Sequence, residues 1–190
     1  MEPLTRQEFL LQKNFYLRKI AEGAVFIYPT DTIYGIGCDA TNFSAIERIR
    51  LLKKRPMAPF SVIAPSRQWI RENCMIDERH TPWLEKLPGP YTLILTLQNR
   101  DAVASNLNPE KDTIGVRIPA LWISTMVRQL GVPLVTTSVN VSGQGYMSSM
   151  DDLDPDIKKA VDFIIYDGEK KGNPSAIVDL TTPEAAVTER

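Results

Sequence analysis

Apolar residues change period several times along the chain, and each change predicts an element. Phe9, Leu10, Tyr16, Leu17, Ile20 and Ala21 fall on one helical stripe. Thr5-Arg6-Gln7-Glu8 before them reads as a capping box, and Gly23 after them as a helix stop. Residues 24–28 are a continuous apolar run ended by Pro29, the pattern of a strand buried on both faces. Residues 42–55 return to helical spacing, with Ala45, Ile46, Ile49 and Leu52 on one face and Pro56 as terminator. Farther on, strands are expected at 60–64, 91–97, 113–118, 134–137, 163–166 and 176–180. Helices are expected at 66–73, at 121–130 (closed by Gly131) and at 151–160. Segments 100–112 and 143–150 carry loop residues. Helices and strands alternate through most of the chain, which predicts an α/β fold with a largely covered sheet. With no repeat, low-complexity tract or long linker, residues 1–190 are expected to form a single domain.

Composition narrows the functional classes. The chain is 43% hydrophobic and 24% charged, in the globular range. Lys and Arg number 22 against 23 Asp and Glu, a net charge of −1. That balance speaks against a broad nucleic-acid-binding surface and leaves room for a local basic cleft. Two cysteines, Cys38 and Cys74, are too few for a disulfide framework or a zinc site, and the lone His80 excludes a His-His metal pair. No apolar run approaches about 18 residues, so no membrane span is expected. The Met1-Glu2-Pro3 start lacks the pattern of a signal peptide, which makes the expected location cytoplasmic, with reduced thiols. There is no P-loop, no G-x-S-x-G elbow and no H-E-x-x-H, and Gly35-Ile36-Gly37 lacks the third glycine of a dinucleotide turn.

Five segments could carry chemistry, each with an ordinary structural explanation beside the functional one. Residues 29–37 pack hydroxyls, a carboxylate and two glycines into a turn beyond a strand end, where ligands of α/β proteins sit; the same residues can simply satisfy their own backbone. Lys53-Lys54-Arg55-Pro56 closes a helix. Its basic residues complement the helix dipole. At about 100° per residue, however, Lys53 projects between Ile46 and Ile49, where it must snorkel or find an anion. Arg and Lys side by side suit a polyphosphate. On the strand at 113–118, Thr113, Gly115 and Arg117 share a face, where the arginine could bind a carboxylate over bare backbone or simply point into solvent. Ser138 and Asn140, two apart, can face one side of an extended segment, and residues 172–178 repeat the theme of a polar turn beside a strand. Together these segments could converge on one cleft.

The order P-T-D-T-x-Y-G-x-G, K-x-R-P, P-G-P-Y-T, T-I-G-V-R-x-P, S-x-N-x-S-G and S-A-I-V-D-L-T, spread over residues 24–181, resembles the YrdC-type (TsaC-type) threonylcarbamoyl-AMP synthases. The resemblance implies a YrdC-like α/β fold: a twisted open mixed sheet flanked by helices, with a deep concave basic cleft. It implies formation of threonylcarbamoyl-AMP and pyrophosphate from L-threonine, bicarbonate or CO2, and ATP, for the threonylcarbamoyladenosine modification of tRNA. It further implies tRNA contact and hand-over of the adenylate to a threonylcarbamoyl-transferase complex, with no membrane involved.

Carried over to matching positions, Lys53 and Arg55 would clamp the ATP phosphates and act as the catalytic pair, with Thr113, Ser138, Asn140 and Ser148 on the nucleotide. Thr32, Tyr34, Arg117, Ser138 and Ser175 would surround threonine, with Arg117 as the carboxylate partner. Mg2+ is expected only through the ATP phosphates, with no protein metal site. Two departures stand out. Relatives carry a polar residue shortly after K-x-R-P, where this chain reads Met57-Ala58-Pro59-Phe60, and they follow the last strand with an Arg-x-Gly stretch, at whose start Arg190 stands. The competing readings are a YciO-type paralogue, an RNA-binding module without synthase activity, and the carbamoyl-transfer domain of a hydrogenase-maturation protein. YciO-type proteins lose the K-x-R and S-x-N pairs, which this chain keeps.

Overall fold

Cap chemistry sets most helix boundaries. The computed structural model describes residues 2–189, and Arg190 lies outside them. The Thr5–Glu8 capping box is present: Glu8 accepts from the Thr5 amide at 2.7 Å, and the Thr5 hydroxyl accepts from the Glu8 amide at 3.2 Å. The first stripe forms two helices rather than one, α1 (Arg6–Leu11) and α2 (Lys13–Ala21), broken where Gln12 leaves helical geometry. Asn42 caps α3 (Phe43–Lys53), and Lys54 closes it in the left-handed region at φ 50°. The remaining helices are α4 (Arg67–Asn73), α5 (Thr81–Glu85), α6 (Ile123–Leu130, ended by Gly131) and α7 (Pro155–Ala160). Helix α5 stands where no helix is expected. Helix α7 starts four residues later than expected, because Asp154 takes the N-cap and Pro155 the first turn.

The strands are β1 (Phe26–Pro29), β2 (Tyr34–Gly37), β3 (Ser61–Ile63), β4 (Tyr91–Thr96), β5 (Thr113–Arg117), β6 (Leu134–Ser138), β7 (Phe163–Ile164), β8 (Ala176–Asp179) and β9 (Ala186–Thr188). They form one mixed, twisted sheet in the order β7-β1-β2-β6-β3-β5-β4-β8-β9. The pairs β1–β7, β3–β5 and β4–β8 are parallel and the others antiparallel. Strand β2 is a correction to the expected turn over 29–37. Its two glycines lower its strand propensity, but close packing requires them. A Cβ on Gly37 would fall 1.9 Å from the Val135 carbonyl oxygen, and one on Gly35 3.1 Å from the Tyr28 ring. The exposed edge strand β9 has no core face and so left no apolar pattern to read.

Two cores hold the sheet. Ile27, Ile36, Val62, Leu93, Val116, Val135 and Val178 pack on one face with Ile46 and Ile49 of α3. Phe26, Tyr28, Ile63, Leu134 and Phe163 pack on the other with Phe9, Ile20, Ile123 and Val127. Alternate residues of β1 thus serve opposite cores, which is why residues 24–28 read as a continuous apolar run. On the second face the helices cover the β7–β1 end and reach Leu134 and Ile63 at one end of β6 and β3. The middle of that face is left to a cavity.

Candidate active site

The cavity has a volume of about 480 Å³ and its floor is the sheet. Register determines which side chains reach it. Gly115 pairs with Ser61 on β3 and Ile94 on β4; Ser61 pairs with Thr136 on β6; Ile94 pairs with Asp179 on β8. Paired residues share a face, so this row and its i±2 neighbours Thr113, Arg117, Thr92, Ser138 and Ile177 all line the cavity. Gly115 permits the closeness of β3 and β5, since a Cβ there would meet the Ser61 hydroxyl at 2.5 Å. The walls carry Arg55 and Lys111, which with Arg117 give three cations against the carboxylate of Asp179 among the described lining residues.

The expected residues fall into two groups along β5. At the Arg117 end, the guanidinium donates to Asp31 at 2.5 Å and approaches the Thr32 hydroxyl at 3.4 Å. Asp31 also accepts from the Ala120 amide at 2.8 Å. Arg117 is 5% exposed and Thr32 6%, and the Thr32 hydroxyl meets the Thr30 hydroxyl at 3.0 Å. Thr32 is not among the lining residues, whereas its buried partner Thr30 is. Ser175 shares a hydrogen bond of 2.8 Å with Thr92, whose neighbour Leu93 pairs with Val116 beside Arg117. Tyr34 borders the cavity with its ring in the core. Its hydroxyl donates to the Gly168 carbonyl at 2.6 Å and accepts from the Asp167 amide at 2.9 Å, and burial pushes its pKa up to about 12.

At the other end, Thr113 and Ser138 line the cavity with Arg55, Asn108 and Lys111. The Ser138 hydroxyl donates to Asn140 Oδ1 at 2.6 Å. Lys53, expected with Arg55 to clamp the ATP phosphates, is not among the residues that line the cavity. Lys53 is 1% exposed and lies beneath the wall, where Nζ donates to the Ser138 carbonyl at 2.5 Å, the Asn140 carbonyl at 2.9 Å and Asn140 Oδ1 at 3.0 Å. Burial, and then the nearby Arg55 charge, push its pKa down to about 7. Lys53 therefore ties the two expected pairs together: it holds the S-x-N turn from inside. Asn140 is not among the lining residues; its Nδ2 donates to the Gln144 carbonyl at 2.7 Å. Ser148 is not brought to the cavity. Its hydroxyl donates to Asp152 at 2.6 Å, a contact that holds Asp152 down at about 2.

Several lining residues escaped the sequence reading. Thr92, Asp179 and Ser61 alternate with core residues on their strands, a signal that becomes specific only once the register is known. Asp31 was visible in the first motif, but its partner Arg117 is 86 residues away in sequence. Lys111 stands two residues before β5 at the end of a loop. No group of three or more His, Cys, Asp or Glu among the described residues is placed to hold a metal ion.

The family model Sua5/YciO/YrdC, described as "Telomere recombination", matches residues 18–190. A protein of Methanocaldococcus jannaschii named a putative threonylcarbamoyl-AMP synthase is 34% identical over 173 residues, covering 88% of this chain and 79% of its own. A threonylcarbamoyl-AMP synthase of Xanthomonas axonopodis pv. citri is 31% identical over 156 residues, 79% of this chain and 82% of its own. Among solved structures, P. abyssi Sua5 complexed with L-threonine superposes with a TM-score of 0.85 at 27% identity. It covers 97% of this chain, which in turn spans about half (55%) of that Sua5. E. coli YciO superposes with a TM-score of 0.82 at 26% identity, over 93% of this chain and 87% of its own. The matched residues, the relatives and the shared fold agree, and this chain belongs to the Sua5/YciO/YrdC family.

Proposed function

We propose that this chain is a threonylcarbamoyl-AMP synthase, using L-threonine, bicarbonate or CO2, and ATP. The observation that carries the reading is the division of the cavity along β5. Thr113 and Arg117 are four residues apart, about 13 Å at strand rise. That length suits an amino acid placed end to end with a triphosphate. The Arg117 end offers buried hydroxyls (Thr30, Thr92, Ser175) and a guanidinium for threonine. The Thr113 end offers Arg55, Lys111, Ser138 and Asn108 for the nucleotide and its phosphates.

The chemistry needs no protein nucleophile. The threonine amine attacks CO2, forming an N–C bond and releasing a proton. A carbamate oxygen then attacks the α-phosphate, the Pα–O bond to the β-phosphate breaks, and pyrophosphate leaves. What the protein must supply is alignment and stabilisation of charge on the leaving phosphates. Arg55 and Lys111 serve the second task, and magnesium carried on the phosphates would share it. Ser138 and Asn140, stiffened by Lys53, serve the first. Buried Cys38 and Cys74, with thiols pushed up by desolvation, take no nucleophilic role. The adenylate is a mixed anhydride that water hydrolyses, so it is consumed by a threonylcarbamoyl transferase acting on tRNA. No helix of the described residues is long and apolar enough to cross a membrane.

The test is pyrophosphate release with ATP and Mg2+, threonine and bicarbonate being omitted in turn. Release that requires both supports the reading; release that ignores threonine, or none from folded protein, refutes it.

A further inference from the structure

Arg50 lies one helical turn before Lys53 on α3, and its side chain is buried, at 4% exposure. A buried guanidinium must find acceptors for its donors. Nε and Nη2 donate to the Asn106 carbonyl at 3.1 and 2.7 Å, and Nη2 also to the Leu107 carbonyl at 2.8 Å. Nη1 donates to the carbonyls of Arg55 at 3.1 Å and Ala58 at 3.0 Å. The guanidinium also stacks 4.7 Å from the centre of the Phe60 ring. Two segments far apart in sequence, 55–60 and 104–112, thus meet on one planar fork. Asn108 joins them again: Oδ1 accepts from the Phe60 amide at 2.9 Å, and Nδ2 donates to the Thr113 carbonyl at 2.9 Å. These two segments bring Arg55, Asn108 and Lys111 to the cavity.

We propose that Arg50 is the positioning residue of the phosphate end, fixing the spacing between the Arg55 segment and the Lys111 segment so that both cations converge on the triphosphate. The proposal rests on the synthase reading for its substrate. Two like charges on separate loops repel, and something between them must hold the loops together. Arg50 does so through backbone carbonyls, leaving the cavity side of both segments to the ligand. A lysine, with one nitrogen, cannot span carbonyls of residues 55, 58, 106 and 107 at once.

The test compares Arg50→Lys, Arg50→Met and Lys111→Met with the wild-type chain. Each should raise the KM for ATP about tenfold or more, while the KM for threonine stays within about twofold. In the Arg50 variants the Phe60 amide, bonded across the two segments, should exchange with solvent faster, while the amides of β5 keep their protection. A merely structural role would lower the active fraction and kcat without separating the two KM values. Lys111 is exposed, so its variant reads the clamp without disturbing the core. An unchanged KM for ATP in Arg50→Lys or in Lys111→Met, or equal rises for both substrates, overturns the proposal. The exchange measurement needs no substrate. Unchanged Phe60 protection in Arg50→Lys therefore overturns the clamp even if the wild-type chain makes no adenylate, an outcome that separately refutes the synthase reading.

Discussion

Asp31→Asn tests how the threonine end is assembled. Asp31 and Arg117 meet at 2.5 Å with side chains 11% and 7% exposed, so the pair is largely withdrawn from water. At an effective dielectric near 20 their attraction is roughly 5–7 kcal/mol, much of it offset by the cost of desolvating both ions. Removing one partner forfeits the attraction and keeps the desolvation of the other. Breaking buried pairs in this way costs about 3–5 kcal/mol. Asparagine keeps the shape and can still accept from the Ala120 amide, so the loss reports the charge. For a chain of this length each kcal/mol moves Tm by about 2–4 °C, which predicts a fall of roughly 6–20 °C. Threonine should then restore more stability to the variant than to the wild type, because its carboxylate would take the place of Asp31 beside the guanidinium. The assay is a thermal melt with and without threonine. A fall under about 2 °C would refute the reasoning that the pair is buried and net favourable, and equal threonine shifts in the two proteins would refute the placement of the carboxylate.

Three further perturbations address the rest of the site. Gly37→Ala drives a methyl group into the Val135 carbonyl and should cost at least about 2–3 kcal/mol in a denaturant melt; a neutral result would refute the close packing of β2 against β6. Lys53 has a folded pKa near 7, below its unfolded value, so the unfolded chain binds more protons between about pH 7 and 10.5. Its contribution to stability should therefore rise as pH increases through that window. Wild-type stability should gain on that of Lys53→Met by up to about 1.4 kcal/mol per pH unit there, and parallel pH profiles would contradict the burial of the amine. Arg55→Ala should reduce kcat/KM for ATP by about 100-fold or more with a Tm close to wild type, and a loss under about threefold would remove Arg55 from the phosphate end.

Much of the fold could be read from the chain because its period changes are clean. Phe26 and Ile27 serve two cores and so gave β1 an unbroken apolar run, and Thr5 and Asn42 marked helix starts with side chains that do cap them. Strand β2 was hidden because its glycines respond to Tyr28 and to the Val135 carbonyl, contacts set by tertiary structure rather than by local propensity. The same distinction governs the site. Thr113, Arg117 and Ser138 lie on strand faces that alternation predicts, and they do reach the cavity. Lys53 was correctly placed toward the apolar side of α3, and there its amine meets neutral carbonyl and amide oxygens of residues 138 and 140, partners that helical spacing could not identify. Arg50 could not be singled out, since the acceptors of its hydrogen bonds are backbone carbonyls, which leave no mark on residue identity. Near-neutral net charge proved compatible with a cavity holding Arg55, Lys111 and Arg117, because among the described lining residues these three face one carboxylate, Asp179, and nearby Asp31 is paired with Arg117.

The most direct test of the central claim is incubation of the chain with ATP, Mg2+, L-threonine and carbon-labelled bicarbonate, followed by separation of the nucleotides. Label is expected in a compound of AMP, formed only when threonine is present and in step with pyrophosphate. A folded, ATP-binding chain that leaves the adenylate fraction unlabelled would contradict it.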